Sequence, residues 1–304
     1  QVVYRRDIIL TGTPPSEGWI FTYENFSRSN ALTNIENPSS YGITIAATMF
    51  PSPNTAINEC TDSSPQFLQS PYFVTCAGSE YRYNMNAVDP DLDSMLFEFG
   101  IPYDHFPTGT YDPPNNPIPV PFETGFTSMS PTPGLLNDPN NIEATINNAT
   151  GELIFTSYTS GNFNIKILVK SYRQGVIVSQ VEREMQVVVL PCSSANDAPV
   201  ITPPFPGNSF EVDIIAGDLI SFDLIANDFD LLQDGSNQNV IITASGPLFG
   251  SNYTSDLGCD IEPCATLNNM PPIIAPQTAN ALFSWQTTCD HLINQFGEAA
   301  DIIP

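Results

Sequence analysis

The chain has 304 residues, enough for two or three domains. Its charge is lopsided, with 8 Lys+Arg against 33 Asp+Glu and a net charge of −25. A nucleic-acid binder needs a basic stripe to displace counterions, so that class is excluded, and anionic membrane surfaces are disfavoured for the same reason. Apolar residues make up 41%, which leaves room for a buried core beneath an acidic, cation-gathering surface.

Twenty-nine prolines cut the chain into short pieces, and no apolar run keeps helical spacing. The apolar residues alternate instead, the pattern of half-buried strands, so the expected class is all-β with sandwiches in series. No stretch of about 18 apolar residues occurs, so no membrane span is expected. The chain opens at Gln1 without a signal peptide and closes on the apolar "EAADIIP", and it reads as a mature or excised piece of a longer protein.

In chain order, "GWIFTYENF" sets Trp19, Phe21 and Tyr23 on one face, and "GITIAATMF" does the same with Ile43, Ile45, Ala47 and Met49. Two strands do not make a sandwich, so residues 1–57 read as the C-terminal part of a preceding domain, closed by the junction "FPSPNTAINEC". A second unit is expected over 58–195. "YRYNMNAV" turns Tyr81, Tyr83, Met85 and Ala87 inward, and "MLFEFGI" carries Met95, Phe97, Phe99 and Ile101 on the same parity. Between them Asp89, Asp91 and Asp93 occupy the strand-to-strand connection. A long proline-rich loop around "PYDHFPTGTYDPPNNPIPVPFETGF" follows, of the length that is usually functional.

"NNATGELIF" reads as a turn into a strand, with Gly151 at positive φ. "NFNIKILVKSY" buries Phe163, Ile165, Ile167 and Val169 and leaves Lys166 and Lys170 in water. "VIVSQVEREMQVVVLP" closes the unit with Val181, Met185, Val187 and Val189 inward. A last unit, truncated at its C-terminus, is expected over 196–304. In it Phe210, Val212 and Ile214 alternate, then Ile220, Phe222, Leu224 and Ala226, again running into acids at Asp228 and Asp230. The order strand, A-x-D-x-D, strand thus occurs twice, a weak internal repeat.

Three aspartates at every second position repel one another unless water or a cation intervenes. Calcium takes six to eight oxygens, many from loop carboxylates, and Asp89, Asp91 and Asp93 supply several. Asn196 and Asp197 at the domain junction, and Asp228 and Asp230, are further candidates. The plainer alternative is that Asp and Asn favour turns, where they bond the local backbone. The cysteines Cys60, Cys76, Cys192, Cys259, Cys264 and Cys289 read as disulfide partners in an oxidising compartment. Cys259–Cys264 is the easiest local pair, and the other pairings stay open. A zinc site is disfavoured because no second close pair or histidine completes it. His105 and His291 are isolated and no nucleophile elbow, zincin or phosphate-loop motif occurs, so no enzyme is expected.

Several strings taken together resemble the repeat modules of large gliding-motility-associated surface proteins of Bacteroidetes: "GWIFTYENFSRSNALTNIENPSS", "CTDSSPQFLQSPYFVTCAGSEYRYNMNAVDPDLDSMLFEF", "VKSYRQGVIVSQVEREMQVVVLPC" and "LFSWQTTCD". "NATGELIFTSYTSGNFNIKILVKSY" and "NDAPVI" are similar to cadherin-like sandwich modules. The resemblance implies tandem Ig-like or cadherin-like domains, export through the type IX system and display on the cell surface as an adhesin or filament. Its partners would be neighbouring domains of the same chain and the secretion and motility machinery. It also implies calcium at Asp89, Asp91 and Asp93. The family often carries Cys-Cys-Arg-Asn where this chain has Phe26-Ser27-Arg28-Ser29-Asn30, so that disulfide is missing. The competing expectation is a carbohydrate-binding module of a secreted glycan-degrading enzyme, which would use exposed aromatics Tyr103, Phe106 and Tyr111 to hold a polysaccharide. A secreted hydrolase is a third.

Overall fold

The computed structural model describes residues 5, 7–52, 62–69, 72–192, 199–232 and 234–292. Asn196, Asp197 and Cys60 lie outside them. The described residues carry seventeen strands and two short 3-10 turns, so the chain is all-β as its alternation requires.

Eleven strands precede residue 191: β1 (Trp19–Asn25), β2 (Ile43–Met49), β3 (Gln66–Phe67), β4 (Tyr72–Cys76), β5 (Glu80–Asn84), β6 (Ala87–Val88), β7 (Ser94–Phe99), β8 (Ile142–Ile146), β9 (Glu152–Thr156), β10 (Gly161–Arg173) and β11 (Val176–Leu190). The main sheet runs β1-β2-β11-β10-β7, with β4 pairing parallel to β11. A three-stranded sheet, β5-β9-β8, faces it. Between them lies the core, where Met85, Leu153 and Phe155 from one layer meet Phe97, Phe163, Ile165, Ile167, Val169, Val187 and Val189 from the other. Fully burying one such side chain contributes roughly 1.5–3 kcal/mol. Gly151 makes the close approach possible at φ 72°, since a Cβ there would stand 2.6 Å from the Phe97 ring.

β1 and β2, read from sequence as part of a preceding domain, are hydrogen-bonded into this main sheet: Ala47 pairs with Val181 and Met49 with Ser179. A larger surprise is the second face of the same sheet. Lys166, expected in water, has a fully buried side chain, and Lys170 is largely covered and paired with Glu98 at 2.5 Å. The cause is the proline-rich loop. Together with residues 26–41 it folds over this face and builds a small core of its own from Leu32, Ile35 and Val120, flanked by Tyr41 and Phe122. Beneath that cover Lys166 Nζ meets Glu182 at 2.7 Å, and Arg28 pairs with Glu184.

After residue 199 come β12 (Val200–Ile201), β13 (Leu219–Asn227), β14 (Asn239–Ile242), β15 (Thr266–Leu267), β16 (Ile273–Pro276) and β17 (Thr278–Gln286). They form one sheet in the order β12-β13-β17-β15 and a second of β14-β16. The buried core here is thin, with Ala226, Val240 and Ala279 backed by Ile242 and Ala275. An aromatic row adds to it: Phe222 stacks on Phe283 at 4.8 Å, with Phe205 edge-on to Phe222. Phe210, Val212 and Ile214 belong to no strand, although their alternation is that of one.

Candidate cation site

The three aspartates of "DPDLD" lie where the sequence places them, in the connection from β6 to β7. A tight turn shapes it. Leu92 N–H donates to Asp89 O at 3.1 Å, Asp91 N–H donates to Asp89 Oδ1 at 2.9 Å, and Leu92 takes the left-handed φ of 60°. Asp89 thus serves the local backbone, as the turn reading expects, while Asp91 and Asp93 carry carboxylate oxygens into the interior. Asp89, Asp91 and Asp93 are all buried.

What they meet there is a cation from the protein itself. Arg173, at the end of β10, donates Nε–H to Asp93 Oδ1 at 2.9 Å and Nη2–H to Asp93 Oδ2 at 2.6 Å. The same Nη2 lies 3.0 Å from Asp91 Oδ2 and 3.2 Å from Asp62 Oδ1. Ser171, two residues earlier on β10, donates Oγ–H to Asp89 Oδ2 at 2.5 Å. Ser63 N–H donates to Asp91 Oδ2 at 2.7 Å. Residues far apart in sequence thus close one corner of the sandwich.

Charge does not balance in this corner. Asp62, Asp91 and Asp93 share one guanidinium, and a fourth carboxylate, Asp89, is buried beside them with Ser171 and the Asp91 N–H as its partners. Burial pushes Asp89 up to about 7, with the charges of Asp93 and Asp62 adding to it against the bonds from Ser171 and Asp91. Burial likewise pushes Asp62 up to about 6, with Arg173 pulling the other way. Burial works against the Arg173 charge, yet Asp93, Asp62 and Asp91 outweigh it and hold the guanidinium above its ordinary value. Two buried oxygens remain without a hydrogen-bond partner, Asp62 Oδ2 and Ser179 Oγ. Ser179 stands near enough to ease the Asp62 charge, but the pair does not reach hydrogen-bond geometry.

Asp62, Asp91 and Asp93 each bring an oxygen within 4.8 Å of the others, a cluster that could hold a metal ion. Among the described residues it is the one group of three or more such side chains so gathered. Asp62 escaped the sequence reading because nothing in its spacing relates it to Asp89. Arg173 left a trace: it continues the inward parity of Phe163 to Val169, and a charge on that face has to meet its opposite.

The other candidate residues do not converge. Asp228 is buried, and its Oδ1 accepts the Asp230 N–H at 3.0 Å in a local turn. Tyr103, Phe106 and Tyr111 are half-buried rather than exposed. Lys166 Nζ sits 5.0 Å from the Tyr103 ring centre, and Phe106 packs on Tyr111 at 5.7 Å. Two disulfides are formed: the expected local Cys259–Cys264 and Cys76–Cys192, which the sequence left open. Cys289 is free and exposed. No helix among the described residues is long and apolar enough to cross a membrane.

Compared with known proteins, the chain matches no family model and no curated protein.

Proposed function

We propose that this chain is a load-bearing segment of an extracellular bacterial surface protein, an adhesin or filament of the gliding-motility-associated kind exported through the type IX system. The observation that carries the reading is how the sandwich is fastened. Cys76–Cys192 ties together positions 116 apart in sequence, at the end of the parallel β4–β11 ladder. Arg173 fastens Asp62, Asp91 and Asp93 at another corner. Two disulfides fit an oxidising compartment. Its partners, on this reading, are neighbouring domains of the same chain and the motility machinery.

We assign calcium as the ion of the Asp62, Asp91 and Asp93 cluster, with Asp89 beside it. Calcium accepts many carboxylate oxygens in irregular geometry, and Asp62 Oδ2 is an oxygen that Arg173 leaves unfilled. The experiment is single-molecule pulling from both ends of the chain, with and without chelator. A high unfolding force that falls on chelation supports both parts of the reading. A segment that extends at negligible force overturns the mechanical role, and a force unmoved by chelation removes calcium and leaves Arg173 as the cation.

A carbohydrate-binding module of a glycan-degrading enzyme is the second reading. It is favoured by Phe26, 58% exposed and 4.8 Å from the His105 ring, near the loop that holds Phe106 and Tyr111. Saturable binding of one polysaccharide, lost in Phe26→Ala, would replace the first reading with this one.

A further inference from the structure

Residues 210–215 have the sequence of a strand and no strand beside them. Phe210, Val212 and Ile214 alternate with Glu211 and Asp213, and Val and Ile are among the residues best suited to a pleated surface. All stand in water: Phe210 is 61% exposed, Val212 45%, Ile214 38% and Ile215 77%. The backbone is equally open. Among the described residues, the N–H groups of Val212, Asp213 and Ile214 meet no acceptor, while those of Glu211 and Asp218 are held locally. The nearby sheet offers little cover, since its outer strand β12 is two residues long and itself exposed. The carbonyls of Glu211 and Ile215 are also held locally, so the open row is Val212 to Ile214. Unpaired backbone donors and acceptors beside alternating apolar side chains are a template for another strand.

We propose that Phe210–Ile215 is a strand-addition site that takes an extended segment of another polypeptide, one in which apolar residues alternate with Lys or Arg. Charge selects this occupant. Glu211 and Asp213 lie on one face of the segment, so an incoming strand meets carboxylates at every second position. Like charges directly opposite each other destabilise a strand pair, and opposite charges support it. A second copy of this chain fits poorly. Antiparallel pairing about Val212 would set Glu211 of each copy against Asp213 of the other, between molecules that each carry −25. The stretches of this chain that alternate apolar residues with Lys or Arg, at Tyr81–Tyr83 and Ile165–Lys170, are already paired within β5 and β10, so the fitting strand comes from a different polypeptide. The backbone supplies affinity, the Phe210, Val212 and Ile214 face supplies apolar contact, and the acids set the partner's charge.

The test uses the full chain and two seven-residue capped peptides, one alternating valine with lysine and one valine with glutamate. Hydrogen exchange across 210–215 is followed as each peptide is titrated. The lysine peptide is expected to slow exchange at Val212 to Ile214 by about tenfold or more, and the glutamate peptide to leave it unchanged. Val212→Pro removes a backbone donor and no charge. It sits in exposed, unpaired backbone, so the variant keeps its fold and should lose both the protection and the binding. Glu211→Lys with Asp213→Lys should reverse the preference between peptides. Three results would overturn the proposal: lysine-peptide binding that survives Val212→Pro, which is diffuse attraction to an acidic chain; equal protection by both peptides; or protection that grows with protein concentration alone, which makes a second copy the occupant.

Discussion

Arg173 holds Asp93 through two parallel bonds, Nε to Oδ1 at 2.9 Å and Nη2 to Oδ2 at 2.6 Å, and both side chains are almost wholly buried. A planar guanidinium gripping a carboxylate in this way fixes geometry as well as charge. Because Asp62 and Asp91 lean on the same Nη2, its removal would strand three acids at once. Arg173→Met should therefore destabilise the fold by about 3–5 kcal/mol, the usual cost of breaking a buried ion pair from one side. Arg173→Lys keeps the charge but loses the fork, and should lie between the variant and the wild type. Urea unfolding read by tryptophan fluorescence measures both. A loss under about 1 kcal/mol for Arg173→Met would mean that protonation or another cation already neutralises the acids.

The acids of this corner give the protein a pH dependence opposite to the common one. Asp89 and Asp62 hold their protons up to about 7 and about 6, against an ordinary value of 3.8, both through burial. A group that binds its proton more tightly when folded stabilises the fold fully below its unfolded value, and that contribution is lost as pH rises through the folded value. From about pH 4 to about pH 7, stability from this corner should fall as pH rises. Asp104 acts the other way. Burial disfavours its charge, but His105 and the N–H groups of Gly42 and His105 outweigh it and hold it below the ordinary value, so its support is lost only in more acid solution. With divalent ions removed by chelator, unfolding midpoints taken across this range should decline towards neutrality, and Asp89→Asn should flatten the decline. A profile that rises to pH 7 in the wild type would refute it.

The two disulfides differ in reach. Cys76–Cys192 closes a span of 116 positions and Cys259–Cys264 a span of 5. If a cross-link acts by restricting the unfolded chain, the longer loop contributes about 5 kcal/mol and the shorter about 2 kcal/mol. Replacing Cys76 and Cys192 with serine should thus lower stability by about twice as much as replacing Cys259 and Cys264. Calorimetry of the two double variants makes the comparison. Equal losses would place the effect in the native state instead.

Much of this architecture was legible because strands obey a period of two. Phe163 to Val169 on β10 and Val181 to Val189 on β11 face the core as their parity requires. Gly151 takes its positive φ, and the aspartates occupy their connection. What parity does not carry is which element covers a strand's other face: by parity Lys166 faces water, and in the fold a loop lies over it. Nor does it carry pairing between distant strands, which is why the joining of β2 to β11 went unseen. Asp62 and Arg173 belong to the site through a contact across 111 positions, where no local pattern reaches. Phe210 to Ile214 show the reverse case, a strand pattern with no strand beside it.

Lys166 and Glu182 pose the question of what a buried ion pair is for. Burial draws the Lys166 ammonium below its ordinary value, and Glu182 opposes that. Lys166 Nζ also donates to Thr44 O at 3.1 Å, and Glu182 Oε2 accepts the Ala46 N–H at 2.9 Å. The pair therefore ties β10 and β11 to β2, the strand that joins the N-terminal residues to the main sheet. Removing one partner leaves the other charge in a dry site, so Lys166→Met and Glu182→Gln should each cost about 3–5 kcal/mol. Desolvating both ions offsets most of their attraction, so Lys166→Met with Glu182→Leu should recover much of that loss. It should not recover all of it, because the Ala46 N–H and the Thr44 carbonyl would lose partners that no leucine or methionine replaces. A double-mutant cycle in urea separates these contributions. A double variant no better than the worse single one would show that the pair's value lies in its bonds to β2 and not in its charge.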